Sequence, residues 1–334
     1  MDKNPANLAI TVDSLTRDFK GFVAVDHISF QVSVGEIFGF LGPNGAGKTT
    51  TVKMLCTLLR PSAGSATVAG FDVVRQHGDV RKSLGIIFQD PSLDDRLTAR
   101  ENLRIHGLIY KVPRRELPER IMQSLQWMQL EDRANDLVRN FSGGMKRRLE
   151  IARGLLHAPE VLFLDEPTLG LDPQTRNRIW EYLLQLRADR GLTLFMTTHY
   201  MDEAEYCDRI AIIDHGKIVA LDTPERLKAE VRGDLIDLRT DDDVLTEKEL
   251  REKYAFPHVK RDSSGLHFEV QNGATEMPQL IRELSAKVLS ITSRRPTLDD
   301  VFLKLTGRAI REAEADPLSD MRLHHQMFSR GSGR

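Results

Sequence analysis

The sequence predicts an α/β protein built on a buried parallel sheet, followed by a smaller α+β domain. Three observations predict it. Dense apolar runs ("EIFGFL", "VLFLDEP", "LTLFMTTH") end abruptly in glycine or polar residues, as strands covered on both faces do. Stretches of helical periodicity separate those runs. Beyond Thr223-Pro224 the signals weaken to shorter alternations, and 334 residues suffice for one large domain plus a small one.

Taken in order, "LAITVDSL" and "VDHISFQV" alternate apolar and polar residues and read as half-exposed strands. "EIFGFL" reads as a buried strand ending at a glycine-rich loop. A helix is expected from Thr49 to Leu59, closed by Arg60-Pro61. Thr98 and Glu101 have capping-box spacing and open a helical insert that runs to about Phe141. Within it, Ile121, Leu125 and Met128 share one helical face. Ser142 is a good N-cap for a helix from Met145 to Leu156. "VLFLDEP" is a short apolar strand ending in two acids. Asp172-Pro173 opens another helix, and Gly191 stops it. "LTLFMTTH" is a further buried strand, and "IAIIDHGKIVAL" reads as a hairpin.

In the C-terminal part, "DLIDLR" and "LHFEV" are expected strands. "TEKELREKY", "EMPQLIRELSA" and "TLDDVFLKLTGR" are expected helices. The polar stretch from 307 to 334 reads as a disordered tail.

Bulk properties exclude several classes. The net charge of −2 supports no whole-chain attraction to nucleic acid or anionic lipid. Cys56 and Cys207 lie in apolar patterns without metal spacing and read as buried free thiols in a reducing compartment. The N-terminus lacks a signal-peptide pattern. No apolar run approaches the roughly 18 residues of a membrane span. Any membrane role must come from a partner.

The chemistry begins at "GPNGAGKTT". Gly42, Gly47, Lys48 and Thr49 satisfy G-x-x-x-x-G-K-[ST], the P-loop pattern of NTPases. Glycines let the backbone approach an anion, and the N–H groups of Pro43-flanking Asn44, Gly45, Ala46, Gly47 and Thr50 can line the cradle. Lys48 reaches β- and γ-phosphate oxygens, and the Thr49 hydroxyl suits Mg²⁺. A nucleotide-hydrolysing site also needs an acid beside the metal and a group to orient water. Asp165 emerges at the carboxyl end of "VLFLDEP", where open α/β sheets bind ligands. Glu166 follows it and, in a continuing strand, would point the other way. The roles expected are Asp165 near Mg²⁺ and Glu166 as general base. Gln89 and His199 end two other apolar runs and are expected to face the same nucleotide.

"FSGGMKRR" poses a separate question. Ser142, Gly143 and Gly144 form a second anion site at a helix N-terminus, without a lysine of their own. One copy would struggle to wrap both glycine stretches around one ATP. Two copies arranged head-to-tail could close each ATP between one copy's "GPNGAGKTT" and the other's "SGG".

The order "GPNGAGKTT", Gln89, "SGGM", "LFLDEP", "GLD", His199 resembles the nucleotide-binding subunit of ABC transporters over roughly residues 7 to 225, with the nucleotide-binding domain expected at 7–228. The resemblance implies an ABC cassette: a RecA-like core with an antiparallel β subdomain and a helical subdomain at about 95–158. It also implies that the sandwich homodimer is the working state and that the subunit sits peripherally on the cytoplasmic side of the membrane. Phe19 would stack on adenine. Gln89 would touch Mg²⁺ and sense the membrane partner. His199 would contact the γ-phosphate, and Asp172 would lie at the dimer seam. Two departures stand out: Phe141 and Met145 replace the Leu and Gln of the usual L-S-G-G-Q, and Phe19 replaces the usual tyrosine.

"GPNGAGKTTTVKML", "FSGGMKRRLEIARGL", "TTHYMDEAE" and "TLDDVFLKLTGR" further resemble the daunorubicin-resistance type of bacterial ABC exporter ATPase. That type implies a separate integral membrane permease and export of a drug, lipid or other amphiphile. It also implies a C-terminal domain, here at 232–306, expected to serve dimerisation or regulation. The segment "DPSLDDRLTARENL" after Gln89 is expected to meet the permease. The rival reading is a soluble ABC ATPase acting on DNA or ribosomes. The chain lacks the long coiled coils and the second cassette of those classes, and no nucleic-acid partner is expected.

Overall fold

The structure is a computed structural model that describes residues 7–89, 92–231, 233–254, 256, 259–262 and 264–307. The expected tail beyond Gly307 lies outside them. The chain divides into two compact units between Leu221 and Asp222.

The first unit opens with β1 (Leu8–Phe19) and β2 (Phe22–Ser33), an antiparallel pair. β3 (Ile37–Leu41) is buried along its whole length and leads into α1 (Lys48–Leu55). That helix ends four residues before the expected Leu59. Thr57 adopts a left-handed φ of 62°, and the Leu58 and Leu59 amides both turn back to the Lys53 carbonyl. β4 (Ala63–Val68) and β5 (Phe71–Asp72) complete a four-stranded antiparallel sheet ordered β2-β1-β4-β5.

After α2 (His77–Ser83) comes β6 (Leu84–Ile87), and then the helical insert. α3 (Ala99–Ile109) begins with the expected capping box: Thr98 Oγ1 accepts from the Glu101 amide, and Glu101 Oε2 accepts from the Thr98 amide. α4 (Leu117–Trp127) buries Ile121 and Leu125, and Met128 follows them into the core. α5 (Gly143–Leu155) starts two residues earlier than expected, so both glycines of "SGG" are its first helical residues.

β7 (Val161–Asp165), α6 (Pro173–Arg190), β8 (Thr193–Thr198), α7 (Met201–Ala204) and the β9 (Arg209–Asp214)–β10 (Lys217–Asp222) hairpin follow. α6 has the expected Asp172 cap and ends at Gly191, φ 63°. The main sheet is ordered β10-β9-β3-β8-β7-β6, with β9, β3, β8, β7 and β6 parallel. Phe38, Phe40, Phe163 and Phe195 are fully buried in this sheet. Phe195 lies 5.6 Å from both Phe38 and Phe40 and 5.2 Å from Phe163, ring centre to ring centre. Burying each such side chain contributes about 1.5–3 kcal/mol, so the cluster makes the sheet a rigid platform.

Parallel register then decides where the site lies. Leu41 pairs with Thr198, Asp165 with Thr197, and Ile87 with Leu164. Four strand ends therefore deliver their next residues to one edge of the sheet.

The second unit holds α8 (Pro224–Glu230), β11 (Asp234–Thr240), α9 (Asp243–Glu252), β12 (Lys260–Asp262), β13 (Gly265–Val270), α10 (Gly273–Glu283), β14 (Val288–Arg294) and α11 (Leu298–Thr306). Its antiparallel sheet is ordered β12-β13-β11-β14. Ile236, Leu238, Leu266 and Phe268 form its core with Leu250 and Leu280. Sequence reading found its two central strands and the three longer helices. It missed β14, whose polar residues follow no clean alternation.

Candidate active site

The glycine loop folds by positions that only glycine fills. Gly47 sits at φ 104°, and a Cβ there would lie 2.5 Å from the Ala24 carbonyl oxygen. The turn of the β9–β10 hairpin braces the same loop, with the Gly216 amide donating to the Ala46 carbonyl at 3.0 Å. Lys48 is buried at the start of α1. Its Nζ donates to the carbonyls of Gly42 (2.7 Å) and Pro43 (3.0 Å) and lies 3.5 Å from Glu166 Oε1. An ammonium held over its own loop, at a helix N-terminus, is placed to meet polyphosphate oxygens.

Thr49 Oγ1 lies 3.3 Å from Asp165 Oδ1, and the Thr197 hydroxyl donates to the same carboxylate oxygen. A hydroxyl and a nearly inaccessible carboxylate side by side are the hard oxygen donors that Mg²⁺ takes, so these residues fit that ion.

Glu166 does not continue the strand as expected. It turns out of β7 at φ 47°, a left-handed conformation, and its amide donates to the carbonyl and hydroxyl of Thr197 at 3.2 and 3.1 Å. The turn changes its direction. Glu166 Oε1 meets His199 Nδ1 at 3.3 Å as well as Lys48 Nζ. Burial pushes the Glu166 carboxyl up, but the His199 hydrogen bond and the Lys48 charge outweigh it. The net effect holds the group below the usual value, hence ionised at neutral pH. The carboxylate contact assigns the proton to His199 Nδ1. Just beyond, buried Glu203 accepts from Thr168 and from Thr198, clamping the residues that flank the two strand ends.

Lys48, Thr49, Asp165, Glu166 and His199 thus converge as read from sequence. The expected residues outside the glycine loop are carried by other parts of the fold. Gln89 is exposed beyond the end of β6. Phe19 closes β1 and carries the Arg17 guanidinium over one ring face, 4.3 Å from the centroid. Ser142 is the exposed N-cap of α5, accepting from the Met145 amide at 3.2 Å. Gly144 packs against Thr175, where a Cβ would come within 2.5 Å of Thr175 Cγ2. Thr175 in turn donates to Asp172 from its amide (3.0 Å) and hydroxyl (2.6 Å). "SGG" and Asp172 therefore share one surface of the first unit.

Sequence reading missed Arg147. In "MKRR" it looks like one of several surface cations, yet it is buried and donates to the carbonyls of Phe88, Asp165, Glu166 and Pro167. The available signal was Glu150 one turn later, amid the apolar Leu149, Ile151 and Ala152: a charge pair on a face otherwise buried.

The cluster around Lys48 is that of a P-loop nucleotidase, and a second glycine stretch opens α5. Comparison with known proteins gives the narrower class. Residues 25–169 match the ABC transporter family, and residues 223–306 match the C-terminal domain of DrrA1-3-like ATP-binding proteins. The chain is 40% identical to the daunorubicin resistance ATP-binding protein DrrA3 of Streptomyces coeruleorubidus, covering 92% of this chain and 99% of that protein. It is 39% identical to the Nod factor export ATP-binding protein I of Rhizobium johnstonii, covering 91% and 97%. A solved ATP-binding cassette, dimeric and bound to ADP and Pi, superposes with a TM-score of 0.59 at 26% identity, covering 64% of this chain and 98% of that one. The chain belongs to the ABC-transporter ATP-binding proteins, in the branch with a DrrA-like C-terminal domain, and it is an ABC-type ATPase.

Proposed function

We propose that the chain powers export through a separate integral membrane permease, working as one half of a head-to-tail dimer. Each ATP lies between Gly42–Thr50 of one copy and Ser142, Gly143 and Gly144 of the other. The observation that carries the ATPase half is the meeting of Lys48, Thr49, Asp165, Glu166 and His199 at one sheet edge. The dimer is supported by the place of "SGG", an exposed helix N-terminus that shares a surface with Asp172. This chain carries a cassette and a DrrA-like C-terminal domain, and the relatives compared are named for drug resistance and Nod factor export. Among the described residues no helix is long and apolar enough to cross a membrane, and in this reading the permease supplies the transport path. The exported molecule is an amphiphile of the drug or lipid kind, and the subunit sits on the cytoplasmic face of the membrane. Nothing in the site favours the soluble alternative acting on DNA or ribosomes.

In this mechanism Lys48 leaves the Gly42 and Pro43 carbonyls for the β- and γ-phosphate oxygens. Phe19 offers its free face to adenine. Glu166, ionised, accepts a proton from the water that attacks the γ-phosphorus as the bond to the β–γ bridging oxygen breaks. His199 orients that carboxylate by donating to it through Nδ1. Thr49, Asp165 and Gln89 would hold Mg²⁺, which when bound neutralises phosphate charge. The second copy's "SGG" amides and helix dipole stabilise the same charge without a lysine.

Glu166→Gln tests this directly. It should bind ATP, lose at least about a hundredfold in kcat, and form an ATP-dependent dimer in sedimentation. Expressed with a tag and recovered from gently solubilised membranes with ATP, it should bring down a polytopic membrane protein in near-equal amount. Recovery of ribosomes or DNA instead would overturn the export reading.

A further inference from the structure

Arg147 lies in the second turn of α5 with 7% of its surface exposed. Its guanidinium fills the space between that helix and the strand ends. Nε donates to the Pro167 carbonyl at 2.5 Å. Nη1 donates to the Phe88 carbonyl at 2.5 Å and to Glu150 Oε2 at 3.0 Å. Nη2 donates to the carbonyls of Asp165 (3.3 Å) and Glu166 (3.1 Å). Glu150, 1% exposed, uses its other oxygen to accept from the Ser92 amide at 2.8 Å. Arg153 holds Ser92 from the far side through its carbonyl.

These bonds form one path: Ser92 amide, Glu150 carboxylate, Arg147 guanidinium, Glu166 carbonyl. Phe88 precedes Gln89 and Ser92 lies three residues beyond it, so both flanks of Gln89 are tied to one buried ion pair. The other end of the path is the backbone of Glu166. A left-handed φ on a side chain of this size persists only where its surroundings hold it. Here β8 holds the amide through Thr197, and α5 holds the carbonyl through Arg147. Only a planar fork with several donors can serve these carbonyls and the Glu150 carboxylate together. A lysine ammonium keeps the charge and loses that geometry.

We propose that Arg147, with Glu150, is a positioning pair for hydrolysis. It locks the Glu166 turn and makes that lock depend on where α5 and the Gln89 segment lie. A shift of either against the sheet would strain or relax the turn that aims the carboxylate. The inference rests on Glu166 being the hydrolytic base.

The test uses the full chain with Arg147→Lys, Glu150→Gln, Glu166→Gln and the Arg147→Lys/Glu166→Gln double variant. Turnover, affinity for trinitrophenyl-ATP, melting temperature and hydrogen exchange at the amides of Glu166, Thr168, Leu169 and Gly170 are measured for each. Arg147→Lys should lower kcat between about tenfold and a hundredfold, with nucleotide affinity held within about threefold and faster exchange at those amides. Glu150→Gln should show the same pattern more weakly, and it keeps the test alive if the lysine variant folds poorly. In the Glu166→Gln background, Arg147→Lys should cost nothing further, because it acts through a group already removed. Unchanged turnover in both single variants would overturn the proposal. So would a matched fall in affinity, turnover and melting temperature, or a full additional loss in the double variant. Near-parental turnover by Glu166→Gln itself would remove the base assignment on which the proposal stands, a distinct outcome.

Discussion

Glu166 shows how a residue's chemistry is set by a conformation that its sequence neighbours do not announce. Its position after an apolar strand was legible, as was its pairing with Asp165. Its direction was not, because a strand would have pointed it away from Lys48, and the left-handed turn brings it back. The same turn sets its pH behaviour. Its folded pKa is depressed, so the stability it contributes is present above the unfolded value near 4.5 and is lost as pH falls through the folded value. His199→Ala removes the largest counterweight to burial. The acid limb of the kcat/KM profile should then move to higher pH, and the rate at the optimum should fall roughly tenfold to a hundredfold. An acid limb that stays in place would separate His199 from the Glu166 carboxylate. At Gly47, alanine would combine a φ of 104° with a contact of 2.5 Å to the Ala24 oxygen. That strain of about 1–3 kcal/mol should weaken ATP binding about tenfold or more, as read by titration calorimetry.

Elements were legible where caps and periodicity agreed. α6 carries Asp172-Pro173 at its start and Gly191 at its end, and it runs between them. α1 was overestimated because Thr57, Leu58 and Leu59 continue an apolar pattern that the backbone abandons at a left-handed turn. β14 went unseen because a sheet edge needs little apolar alternation: its residues between Val288 and Arg294 are mostly exposed. Arg147 was hidden for a related reason. Its partners lie near residues 88 and 166, and only the packing of α5 on the strand ends brings them together. The close approach of α5 and α6 also makes a prediction. A Cβ on Gly144 would crowd Thr175 and, through it, the Asp172 cap. Gly144→Ala should destabilise the chain by about 1–3 kcal/mol in urea unfolding and weaken ATP-dependent dimerisation. A variant of parental stability that still dimerises would show that this contact yields freely.

For the whole molecule, the sequence carries two glycine stretches, and the structure places them in one unit with different neighbours. Lys48 lies against Glu166 and the strand ends, whereas Ser142 to Gly144 open at a helix N-terminus beside Asp172 and Thr175. Sharing each ATP between two copies gives both sites a use. The central claim is therefore that catalysis needs one site from each chain, and mixing two inactive variants tests it most directly. Lys48→Ala disables one cradle, and Ser142→Arg blocks the other; each alone should be inactive. Mixed in equal amounts, half of the dimers pair one of each, and every such dimer keeps one intact composite site. ATPase activity should return to about a quarter of the parental rate. If both sites served an ATP within one chain, mixing would restore nothing, and the head-to-tail account would be contradicted.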